Sequence, residues 1–159
     1  MYLRTIGKTC TTYVYNEIAI ITNDAILHFK KVEYDKEKQV VVIPIERFEV
    51  EIRRTFWRRY YYKNNKNVKI PSIITIRKIT ECEIKQTDWG PDFPVAHILF
   101  DVNIDPEKQE VTEITISSVE GAGTHDSEGR GVLFFLTAKV SEIDIEIRDT
   151  ETIRGGLHS

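Results

Sequence analysis

Leucine and alanine, the apolar residues that most favour helices, are scarce in this 159-residue chain: 6 Leu and 5 Ala. That excludes a helical bundle as the main architecture. Long apolar runs are absent too. The longest, at 18–21 and 132–136, fall far short of the ~20 residues that a membrane-spanning helix needs. Cysteine is limited to Cys10 and Cys82, with no CxxC. Two such residues cannot form a dense disulfide framework, and reduced thiols in a cytoplasmic protein are expected; their pairing is left open. The first residues, Met-Tyr-Leu-Arg-Thr-Ile-Gly-Lys, hold no continuous apolar stretch, so a secretory signal is not expected.

What the chain has in abundance is β-branched side chains: 22 Ile, 13 Val and 15 Thr. Their stiff rotamers suit a pleated surface and are mildly unfavourable in helices. Apolar residues recur with period two. Ala96, Ile98, Phe100, Val102 and Ile104 form one series, Ile114 and Ile116 a second, and Ile143, Ile145 and Ile147 a third, the last alternating with acids. Each series puts one face on a core and the other in water. The apolar run 132–136 reads as a central buried strand. Asp35-Lys-Glu-Lys-Gln39, Asn64-Asn-Lys-Asn67 and Asp105-Pro-Glu-Lys-Gln109 read as turns.

The expected fold is therefore mainly β: an antiparallel sandwich or small barrel built of hairpins, as one domain over residues 1–159. One stretch admits an α+β alternative. Between Pro44 and Tyr62, Phe48, Val50 and Ile52 fit a strand. Ile45, Phe48, Ile52, Phe56 and Tyr60 fit a helix around 44–62 opened by Pro44. The strand is preferred. The two acidic loops also share a pattern: 32–39 and 102–109 lie 70 residues apart, each after a strand carrying a histidine, His28 or His97. A good polar turn explains this; duplication of a hairpin unit is the sharper reading.

Charge is distributed unevenly. Residues 52–80 hold nine bases and no acid, and the remainder after them holds seventeen acids against six bases. Such asymmetry calls for an anionic partner or for pairing of the two regions. The basic stretch is interleaved with aromatics. Arg53, Arg54, Trp57, Arg58, Arg59, Tyr61 and Lys63 are its candidate ligand-binding residues, since cations meet anionic groups while aromatic faces stack. A pI near 5.8 argues against nucleic acid.

A second candidate is the glycine-rich loop 121–131. There His125, Asp126 and Glu128 offer nitrogen and oxygen donors to a divalent cation, and Arg130 and glycine amides suit a phosphate. No GxxxxGK[ST], GxGxxG, HExxH or GxSxG is present, so no metal or other cofactor is expected and catalysis is disfavoured. Cys82 lies between Glu81 and Glu83, which argues against a reactive thiolate. Asp144 and Glu146 share a strand face and read as a solvated surface. Trp89 and Phe93 lie in a proline-rich segment suited to capping the core.

The expected function is a non-catalytic binding module whose basic-aromatic surface at 53–69 meets an anionic ligand or an acidic protein surface. The first alternative is a structural or interaction protein whose basic and acidic surfaces pair within or between subunits of a homo-oligomer. The second is a metal- or phosphate-dependent enzyme using 121–131.

Overall fold

A computed structural model describes residues 2–8, 12–22, 25–28, 31–48, 69–86, 95–118 and 134–150. These form ten strands and one helix. In order they are β1 (Tyr2–Gly7), α1 (Thr12–Thr22), β2 (Ile26–His28), β3 (Glu33–Asp35), β4 (Val40–Phe48), β5 (Lys69–Ile76), β6 (Ile79–Gln86), β7 (Val95–Ile104), β8 (Val111–Ser118), β9 (Phe134–Val140) and β10 (Ile143–Asp149). Every pairing is antiparallel, along the path β1-β10-β5-β4-β2-β7-β8-β9-β6, with β3 on β4. The path makes two sheets packed as a sandwich; among the described residues no barrel closes.

The alternations seen in sequence become the core. Val41, Ile43 and Ile45 of β4, Ile74 and Ile76 of β5, and Ile143, Ile145 and Ile147 of β10 are buried in one sheet. Ile98, Phe100, Ile114, Ile116, Leu136 and Ala138 are buried in the other. The β7 series does not hold to its end. Val102 is half-buried, and Ile104 is exposed where the β7–β8 register shifts between Asn103 and Ile104 and a bulge re-aims the following side chain. Of the run at 132–136, Phe134–Leu136 open β9, which is paired on both sides by β8 and β6; it is not buried on both faces as expected, since Phe135 is exposed between buried Phe134 and Leu136.

One element departs from expectation: a helix at 12–22, where none was read. In the ambiguous stretch around 44–62 the preferred strand holds as far as it is described. Pro44 through Phe48 belong to β4, and the rest of the ambiguous stretch lies outside the described residues. On one edge of β4, β3 pairs Val40 to Val42 and β2 pairs Ile45 and Glu46. Pro44 falls in the gap, where a residue without an N–H is tolerated. The helix forms in a β-branched segment because Tyr15, Ile18, Ala19 and Thr22 recur at spacings of three and four. Ile18, Ala19 and Thr22 are buried. The Tyr15 ring lies 6.4 Å from that of Phe100, and the Thr22 hydroxyl donates to the Ile18 carbonyl at 2.7 Å.

The sheet path also reads the same from both ends. Exchanging β2 with β7, β4 with β8, β5 with β9 and β6 with β10 maps it onto itself, leaving β1 as the addition. The exchange holds at residue level where the halves meet: Ile26 pairs His97 and Leu27 pairs Ala96, the register that a 70-residue offset requires. The two polar turns agree as well. Gln39 and Gln109 both adopt positive φ, 56° and 58°. Asp35 Oδ1 accepts from the Lys38 N–H at 3.0 Å, and Asp105 Oδ1 accepts from the N–H groups of Glu107 at 2.8 Å and Lys108 at 3.2 Å. Those backbone donors hold both carboxyls below the usual aspartate range. After the turns come the two longest connections, 49–68 and 119–133. Two-residue corners follow, Arg77-Lys78 and Ser141-Glu142, at which the chain crosses from one sheet to the other.

Candidate functional site

In β4 the inward positions run Val41, Ile43, Ile45 and then Arg47, which is 0% exposed. In β10 they run Ile143, Ile145, Ile147 and then Asp149. The two periodic series therefore end in opposite charges on strands separated only by β5. The Arg47 guanidinium donates to the Asp149 carboxylate from Nε to Oδ1 at 2.9 Å and from Nη2 to Oδ2 at 2.8 Å. Ser72, opposite Asp149 in register, donates from Oγ to Oδ1 at 2.7 Å. A buried charge is tolerated only when paired and hydrogen-bonded in this way. Burial alone raises the Asp149 carboxyl, but the hydrogen bonds from Arg47 and Ser72 and the Arg47 charge outweigh it and bring its pKa down to about 2.

A second network covers the corner side of β10. Asp144 is 3% exposed, so it is not the solvated acid expected from alternation. It is covered by two arginines. Arg4 of β1 approaches with Nε and Nη2, each at 3.4 Å, and Arg77 Nη1 lies 3.7 Å from Oδ1. Arg77 Nη2 donates to Glu146 Oε2 at 3.0 Å, and Lys78 pairs with Glu142. Antiparallel register is the cause: β1 and β5 flank β10 and bring cations from both sides onto its acids. Two bases of the basic stretch, Arg77 and Lys78, thus meet acids of the second half.

The candidate ligand residues Arg53, Arg54, Trp57, Arg58, Arg59, Tyr61 and Lys63 lie outside the described residues, as do the turn at 64–67 and Trp89 and Phe93. What flanks the first set is described. Phe48 and Lys69 are directly paired, so segment 49–68 leaves and re-enters at one end of the β4–β5 ladder, one residue beyond the Arg47–Asp149 pair. His125, Asp126, Glu128 and Arg130 also lie outside; their segment joins Ser118 of β8 to Phe134 of β9, the counterpart of the β4–β5 connection. The ends of β4 and β8 are three strands apart along the path, roughly 14 Å. Neither Arg47 nor Asp149 was selected by motif reading. The signal was a charge taking the next inward position of a period-two apolar series.

Cys82 is a free thiol on β6, and its half-buried position pushes it up to about 11. The direction matches the sequence expectation, but the cause is burial rather than the flanking acids. No group of three or more metal-binding side chains occurs among the described residues, and no described helix is long and apolar enough to cross a membrane. Comparison with protein-family models, with curated proteins and with solved structures finds no match to this chain.

Proposed function

We propose that the protein is a non-catalytic binding module that takes an anionic ligand, or an acidic protein surface, through the basic-aromatic segment between β4 and β5. The observation supporting this is the state of the acids on β10 and in the corner before it. Glu142, Asp144, Glu146 and Asp149 are already engaged by Lys78, Arg4, Arg77 and Arg47. Glu81 and Glu83 likewise have Lys139 and Lys85 as neighbours. With these six of the seventeen acids after residue 80 already engaged by other cations, an external anion is the partner we assign to Arg53, Arg54, Arg58, Arg59 and Lys63. Each ligand anion met by a cation releases counterions, so binding weakens as salt rises. Retention on phosphocellulose and heparin should therefore fall steeply with salt; passage of the protein at low salt would remove the reading.

A second reading is an interaction protein in which basic and acidic surfaces pair within the chain. It is favoured by Arg77–Glu146 and Lys78–Glu142, where the last two bases of the same stretch do that. The two readings part on stability: internal pairs contribute to folding, whereas exposed cations awaiting a ligand do not.

A further inference from the structure

From the edges of the sandwich we infer that β6 is a self-association edge, pairing antiparallel with β6 of a second copy about a two-fold axis through Ile84. Along the sheet path the two halves are equivalent except at this place. β10 is paired on both sides, by β5 and by β1, whereas its counterpart β6 is paired by β9 alone among the described residues. Among the described residues one covering strand serves two equivalent edges. An edge left open presents a row of N–H and C=O groups to any strand that matches it.

The side chains select the match. Glu83 and Lys85 stand on the outer face with 64% and 70% of their side chains exposed, and Ile84 on the other face is 36% exposed. A two-fold axis normal to the sheet keeps each face on its own side, so the pairing must be centred on a residue. Centred on Ile84, it sets Ile84 against its own mate. It also sets Glu83 opposite the partner's Lys85, and Lys85 opposite the partner's Glu83. Centred on Glu83, it opposes two carboxylates at the axis. Centred on Cys82, it opposes Glu81 and Glu83 twice. Directly opposed like charges destabilise a ladder and opposite charges stabilise it, so Ile84 is the favoured centre. The register shift between Ile79 and Glu81 twists the start of β6 away, which confines the edge to its later residues. So short an edge buries less than a standard interface, and the dimer is accordingly a weak, concentration-dependent one.

The test is sedimentation of the full chain from micromolar to millimolar concentration. Wild type should show a monomer–dimer equilibrium. Glu83→Lys sets lysine opposite lysine twice and should weaken it by roughly ten-fold or more, and Lys85→Glu should do the same with acids. The exchange Glu83→Lys/Lys85→Glu rebuilds both cross-strand pairs and should restore association to near wild type. Both positions are exposed, so unchanged circular dichroism is expected and separates association from folding. A second probe is Ile84→Cys in a Cys10→Ser/Cys82→Ser background, which should give a disulfide-linked dimer on mild oxidation. A wild type that stays monomeric throughout overturns the inference. So does a dimer indifferent to Glu83→Lys, or an exchange variant no better than either single change.

Discussion

Arg47 and Asp149 meet through two parallel hydrogen bonds, at 2.9 and 2.8 Å, across an intervening strand and at the ends of two apolar series. The pair closes one end of the core with charge where alternation alone would have put a branched aliphatic residue. It also stands at the point where the chain leaves β4 for the basic-aromatic segment.

Removing one member leaves the other buried and uncompensated. Arg47→Met or Asp149→Leu should each lower stability by about 3–5 kcal/mol, while the double change should recover most of that loss, because an apolar pair of similar volume is often no worse than the ion pair. Urea denaturation of the three variants measures this. Additive losses in the double variant would show that the two residues do not act on each other.

The lowered carboxyl makes stability depend on acid. Asp149 in the fold titrates near 2, below the ~3.9 of an unfolded aspartate. A depressed folded pKa contributes stability that is fully present above the unfolded value and is lost as pH falls through the folded one. The contribution is about 2 kcal/mol, disappearing between roughly pH 4 and pH 2. Denaturant midpoints followed through that window should fall less steeply in Asp149→Asn than in wild type.

Gln39 and Gln109 hold the same left-handed conformation in equivalent turns. A β-branched residue tolerates positive φ poorly, so Gln39→Ile and Gln109→Ile should each lower stability by about 1–2 kcal/mol. Glycine in the same places should cost little. Thermal melts of the four variants should give near-equal effects at the two turns. A large effect at one turn alone would mean that only one of them depends on that geometry.

The Cys82 thiol, held near 11 by burial, is almost wholly protonated at neutral pH. Alkylation by iodoacetamide at pH 7.5 should be far slower than for an unfolded thiol, and should recover in denaturant, because only the thiolate attacks. Mass spectrometry of a Cys10→Ser variant reads Cys82 alone.

Much of the fold was legible because burial follows period two. Ile43, Ile114, Ile145 and their neighbours are inside for the reason the alternation gives, and the Asp-to-Gln turns sit where polarity placed them. Three things were not legible. The helix at 12–22 is built of residues with strand preferences, and tertiary contact of Tyr15 and Ile18 with the sheet outweighs them. Asp144 looks solvated in sequence, and only the antiparallel neighbours Arg4 and Arg77 reveal that it is covered. Arg47 and Asp149 are 102 residues apart, so their pairing follows from sheet order, which a single sequence does not display. Of the candidate site, the strand at Pro44–Phe48 was legible and β5 was not; nor was the ligand, because charge and aromatic content name a class of partner rather than a molecule.

The most direct measurement of the functional account takes the variant Arg53→Gln, Arg54→Gln, Arg58→Gln, Arg59→Gln and reads two quantities on one preparation. These are salt-dependent retention on an anionic matrix and the midpoint of urea denaturation. Arginines awaiting an external anion predict loss of retention with a nearly unchanged midpoint, since exposed ion pairs contribute only ~0–1 kcal/mol each. A clear fall in the midpoint with retention unaltered would contradict the account, because it would place those four cations in the service of the fold.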